Sequence, residues 1–155
     1  MGEALKGLAL DSQGNGWITS QGNSSIYGLR PDGTRIGQFT GGGIDGPWGI
    51  AVDGEDNLWV ANFGPLQPGS NFTDGRISEL CGINGDPLYG LPPAPGDPSF
   101  APMMRQTNVV IDRAGNIWAL NNWKPDFDID LCCNPGGDGV VIFVGLAAPP
   151  ISQAP

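Results

Sequence analysis

Apolar positions in this chain fall in short continuous runs rather than in alternation or at helical spacing. Leu8-Ala9-Leu10, Ile50-Ala51-Val52 and Val109-Val110-Ile111 are each followed by an aspartate, a polar turn and a second apolar run carrying a tryptophan. The copies run from Gly7 to Ser20, from Gly49 to Asn62 and from Asn108 to Asn121, and they align without a gap. An apolar run, a turn and a second apolar run predict a tight β-hairpin. Runs that do not alternate predict strands covered on both faces, so each small sheet needs neighbours like itself. Asp11, Asp53 and Asp112 are expected to fold their carboxylates back onto backbone N–H groups two or three residues on, fixing the turn. Gly14 and Gly115 stand where a positive φ is wanted, and Asp56 takes that place in the middle copy. Trp17, Trp59 and Trp118 recur in phase and are read as packing residues between successive sheets. Neither repeated set is read as catalytic.

The segments between the hairpins extend the pattern. Ser25–Leu29 and Arg35–Phe39 flank a Pro31-Asp32-Gly33 turn and predict a third and a fourth strand. Arg76–Leu80 and Pro87–Leu91 do the same after the second hairpin, and Gly139–Val144 gives a third strand after the last. Four antiparallel strands in about 42 residues is the size of a β-propeller blade. The expected fold is all-β: one partial propeller domain of about three blades, roughly residues 5–46, 47–107 and 108–146, with a Pro-rich tail at 147–155. No stretch of ten residues has helical periodicity. The enlarged connections are 62–75, 92–107 and 121–138. In an up-and-down blade all three emerge on one side of the disc, commonly the binding side.

Composition narrows the function. The 155 residues hold 26 Gly and 15 Pro, only 15% are charged, and the formal net charge is −9. A turn-rich all-β protein fits this better than a disordered chain. The acidic balance argues against a nucleic-acid partner, and the basic cluster Arg30–Arg35 reads as a solvated hairpin tip. No apolar run is long enough to span a bilayer. No signal peptide is visible, and a secreted or periplasmic location is the weakly favoured expectation. Cys81 is read either as a disulfide partner of Cys132 or Cys133 or, with them, as a free thiol. Asn23-Ser24-Ser25 and Asn71-Phe72-Thr73 match the glycosylation sequon.

The repeats resemble the NHL-type six-bladed β-propellers, a group that includes streptogramin lyases and gluconolactonase-like proteins. The resemblance rests on Pro47–Asp53, Asn57–Asn62 and the strand around Arg76-Ile77. It implies six blades, of which three are present, and propellers need at least about four to close. The chain is therefore expected to be the C-terminal half of a longer propeller, with Met1 an internal or truncated start. The rival is a head-to-head pair of half-rings closing as a dimer. For the lyases the resemblance implies catalysis by histidine with a divalent cation. This chain has no histidine, so lyase activity is not expected of the segment alone.

Candidate ligand contacts follow from position. Trp48 and Asn108 begin first strands, nearest the propeller axis, and Asn62 and Asn121 end second strands on the long-loop side; Ser20 holds the third asparagine position. By resemblance these places surround the mouth where lactonase relatives hold a cation, with strand-end capping as the competing role. Trp123 can stack on a sugar or plug its loop. Asp126, Asp128 and Asp130 alternate, so an extended backbone would turn their carboxylates to one side for Ca²⁺; a solvated acidic loop is the competing reading. Without histidine no Ser/His/Asp or Cys/His set can be built. The leading expectation is a noncatalytic module holding a protein, peptide or glycan on the long-loop face, with no resident cofactor. The alternative is a metal-dependent hydrolase or lyase with ligands partly in other blades.

Overall fold

The computed structural model describes residues 4–64, 76–82, 87–91, 105–121 and 139–150. These form three antiparallel sheets. The first contains β1 (Leu5–Leu10), β2 (Gly16–Ser20), β3 (Ser25–Leu29) and β4 (Arg35–Phe39) in chain order. The second contains β5 (Pro47–Val52), β6 (Asn57–Asn62), β7 (Arg76–Cys81) and β8 (Pro87–Leu91), and the third β9 (Gln106–Ile111), β10 (Ile117–Asn121) and β11 (Val140–Phe143). A 3₁₀ turn, Gln21–Asn23, joins β2 to β3. Among the described residues no helix is long and apolar enough to cross a membrane.

Each hairpin closes in the same way. Asp11 Oδ1 accepts the backbone N–H groups of Gln13 and Asn15, and Asp53 and Asp112 repeat this with Glu55 and Asn57 and with Ala114 and Asn116. The carboxylate reaches two and four residues on, one farther than the turn chemistry alone suggests, because each aspartate N–H bonds the carbonyl of the asparagine four residues on and brings that residue back beside it. Gly14, Asp56 and Gly115 have φ of +79°, +62° and +77°.

The sheets stack face to face as blades, with β5 lying against β1 on one side and β9 on the other. Between the first two blades Trp17, Ile26, Ile44, Ile50, Leu58, Val60 and Leu80 are buried together. Between the second and third, Trp59, Ala61, Ile77, Val109, Ile117, Ala119 and Ala147 do the same. Enclosing each aromatic or branched side chain contributes about 1.5–3 kcal/mol. The inner strands approach closely. A Cβ on Gly49 would lie 2.7 Å from Asn108 Cα and 2.9 Å from Thr107 O.

Two expectations change at the ends of the row. Leu8 and Leu10 are each 64% exposed although their equivalents in the middle blade are covered, and Trp118 is 40% exposed where Trp17 and Trp59 are buried. No described sheet packs against either of these faces, so among the described residues they lack the neighbour that continuous apolar runs require. Cys81 is a free, half-buried thiol, the second of the two readings the sequence leaves open for it. Cys132, Cys133 and Asn71 lie outside the described residues.

Candidate ligand-binding face

The first strand of every blade carries an irregularity near its start. Pro47 pairs with Asn62 and Gly49 with Ala61, which leaves Trp48 as an extra residue on β5. The same break falls between Leu5 and Leu8 in β1, where Lys6 stands, and at Thr107 in β9. A β-bulge re-aims the side chain it carries, and bulges gather near functional sites. Lys6, Trp48 and Thr107 are thus equivalent bulge positions at the end of the blades where the enlarged connections leave.

A row of rings and cations crosses this end. Lys6 Nζ lies 4.2 Å from the Trp48 ring centroid, and the Trp48 and Phe63 rings are 4.8 Å apart at 37°. The Arg105 guanidinium lies 4.5 Å from the Phe63 centroid, and its Nη1 donates to Phe63 O at 3.5 Å. Cations over aromatic faces are held by the ring quadrupole, more strongly where water is excluded. Arg105 is only 4% exposed, and this burial lowers its pKa to about 10, so it keeps its charge at neutral pH. The row therefore ties all three blades together. Lys6 comes from β1, Trp48 from β5, Phe63 from the exit of β6 and Arg105 from the approach to β9.

The backbone beneath the row is fixed from below. Thr19, fully buried on β2, donates from Oγ1 to Trp48 O at 2.6 Å and accepts Gly7 N–H at 2.7 Å. Phe63 N–H donates to Gly46 O at 2.9 Å, so the loop before β5 is laced to the exit of β6.

Of the residues expected at this face, Trp48 is half-buried and Asn108 exposed. Asn62 is fully buried; its Oδ1 accepts Asp45 N–H at 2.9 Å and its Nδ2 donates to Ser78 Oγ at 3.0 Å. Asn121, also buried, accepts Gln106 Nε2 at 3.0 Å. Both asparagines therefore bind structure behind the rim. Ser20 is fully buried too, and its Oγ has no partner among the described residues. Trp123, Asp126, Asp128 and Asp130 lie outside the described residues. Among the described residues no group of three or more His, Cys, Asp or Glu side chains converges for a metal. Phe63 and Arg105 were not expected from the sequence, because neither belongs to the repeat.

The opposite side of the disc carries a polar cleft of about 310 Å³ between the first two blades, lined by Asp11, Asn15, Arg30 and Asp56 among others. Its carboxylates already serve the fold. Asp56 accepts Ser12 N–H and Oγ–H at 2.8 and 2.5 Å, and Asp11 holds its own turn.

No protein-family model and no curated protein matches the chain. Solved structures do. A luciferin-regenerating enzyme superposes with a TM-score of 0.60 at 19% identity over 95% of this chain and 47% of its own. A streptogramin B lyase gives 0.55 at 15% identity over 76% and 34%. Virginiamycin B lyase from Staphylococcus aureus gives 0.54 at 11% over 94% and 43%. At these identities the likeness is one of fold: the chain is a set of β-propeller blades. It spans between about a third and a half of the length of the proteins it resembles.

Proposed function

We propose that this chain is a noncatalytic binding module of the NHL propeller type, holding a peptide, protein or glycan on the long-loop face. The row Lys6–Trp48–Phe63–Arg105 is the observation that carries this reading. Trp48 is aimed by a bulge and braced through its carbonyl by Thr19, which is the rigid placement a stacking contact requires. In this reading Trp48 and Asn108 touch the ligand, with Trp123 joining from its loop. Asn62 and Asn121 hold the rim from behind. Calorimetric titration with a panel of neutral oligosaccharides and acidic peptides tests it. Saturable binding that Trp48→Ala abolishes while the β-sheet circular dichroism stays intact supports the module. Binding by no member of the panel, or equal binding by the variant, argues against it.

A second reading has one observation in its favour. The solved structures described above are of a luciferin-regenerating enzyme and two lyases. In this reading the chain supplies part of a metal-dependent hydrolase or lyase, with Asp126, Asp128 and Asp130 as weak Ca²⁺ candidates and further ligands on other blades. Anything bound to the native state raises its melting temperature by mass action. A Ca²⁺ titration that raises the melting point, reversed by chelator, would favour the enzyme; a flat response favours the binding module.

A further inference from the structure

The two ends of the row of blades expose the two halves of one interface. Inside the chain each blade offers its tryptophan face to the first strand of the next. Trp17 (0% exposed) is buried with Ile50 (8%), and Trp59 (1%) with Val109 (3%). At the trailing end Trp118 keeps the aspartate bond of its equivalents, 2.9 Å from Nε1 to Asp112 Oδ2. It sits in a rung with Val110 and Ile142, beside Leu120 paired to Val140. All five side chains are 40–52% exposed. At the leading end Leu8 holds the position of Ile50 and Val109, Leu10 that of Val52 and Ile111, and both are 64% exposed. Leu8 pairs with Ile18 and Ile18 with Tyr27, so apolar and aromatic side chains continue across this face, with the Arg35 guanidinium 5.1 Å from the Tyr27 ring centroid. Exposed apolar faces of this extent mark an interaction surface.

We infer that a second copy of this chain covers both. Trp118 and its rung in each copy pack on Leu8 and Leu10 of the other, and the two contacts are related by one twofold axis. The polarity is head to tail, unlike the head-to-head pairing considered from sequence, because tryptophan and first-strand faces meet in that sense at both interfaces within the chain. The arc fits as well. The chain covers 43% and 47% of two propellers on which nearly all of it superposes, so two copies supply about one ring. Pairing completes the axial mouth, placing two Lys6–Trp48–Phe63–Arg105 rows around it.

Size-exclusion chromatography with light scattering on the 155-residue chain tests this. The expected result is a monodisperse species of twice 16.1 kDa. Leu8→Asp and Trp118→Arg should each give a monomer with unchanged β-sheet circular dichroism. An equimolar mixture of the two should recover dimer, because one of its two contacts joins an unaltered Trp118 face to an unaltered Leu8 face. Should Trp118→Arg lose folded signal, Val140→Lys reads the same face without touching the aspartate bond. A folded wild-type monomer, whose faces would then await other blades, overturns the inference. So does a ladder of open assemblies, or a mixture that stays monomeric.

Discussion

The indole N–H of Trp59 donates to Asp53 Oδ2 at 3.0 Å, tying the turn between two strands to the side chain that fills the next interface. The same bond joins Trp17 to Asp11 at 3.0 Å and Trp118 to Asp112 at 2.9 Å. Asp53 is the most enclosed of the three at 5% exposed, and its Oδ2 also accepts Ala148 N–H at 3.2 Å. One carboxylate thus sets the hairpin, orients the packing aromatic and anchors the segment that follows β11.

This concentration makes Asp53→Asn informative. The amide presents an NH₂ group to at least one donor the carboxylate accepted, and a buried donor without an acceptor costs about 1–3 kcal/mol. The expected loss is about 2 kcal/mol in urea unfolding, with Asp112→Asn losing less because its surroundings are open. Equal losses at the two sites would mean that enclosure does not set the cost.

Acid should expose the same bonds. Hydrogen bonds from Trp118 and Asn116 pull the Asp112 pKa from 3.8 to about 2. For Asp11 partial burial pushes upward, but bonds from Trp17, Asn15 and Gln13 outweigh it and the pKa is lowered. The unfolded chain then binds protons more readily than the native one. The stabilisation is complete above the unfolded value of 3.8 and is lost as pH falls toward about 2. Melting temperature should drop across that window. Asp112→Asn should flatten the drop; an unchanged slope would remove Asp112 as a cause.

The hairpins could be read from the chain because everything they need is local. Asp53, Asp56, Asn57 and Trp59 lie within seven residues, and the apolar runs mark the strands on either side. The bulges could not. Nothing in Pro47-Trp48-Gly49 shows that Trp48 is skipped by the ladder, since that depends on its partner Asn62 and on Thr19 from another blade. Trp48 and Asn108 can be placed at this end from sequence through their position at strand starts. Phe63 and Arg105 were missed because they meet across 42 residues and belong to no repeat. The exposure of Trp118 escaped for a related reason: in-phase recurrence predicts burial only where a next sheet follows.

Gly49 is a second point at which blade packing is vulnerable. A methyl there meets the backbone of β9 at Asn108 and Thr107, which cannot swing aside as a flexible side chain would. Gly49→Ala should force β5 and β9 apart and cost about 1–3 kcal/mol, the range for overpacking. Gly33, at a hairpin tip with nothing within 4 Å, is a poor control because its φ is +83°. Gln13→Ala at an exposed turn keeps the backbone bond to Asp11 and is better, with an expected change within about 0.5 kcal/mol. A neutral Gly49→Ala would show that the inner strands adjust more freely than their spacing implies.

Glu79 is a place where the fold can be improved. It pairs across from Trp59 on the face toward the third blade. Burial raises its pKa, with the Asp53 and Glu55 carboxylates adding to the effect. A carboxyl whose native pKa is raised holds its proton more tightly folded than unfolded, so stability falls as pH climbs through that range and stays lower above it. Glu79→Gln keeps the shape and removes the charge. It should stabilise the protein at pH 7 by on the order of 0.5 kcal/mol after solvent screening. Below the unfolded value of 4.5 the gain should vanish, since both forms are then neutral. Thermal melts of the two proteins at pH 7 and pH 3.5 make the comparison directly. A gain of equal size at both pH values would assign the effect to packing or strand preference rather than to charge.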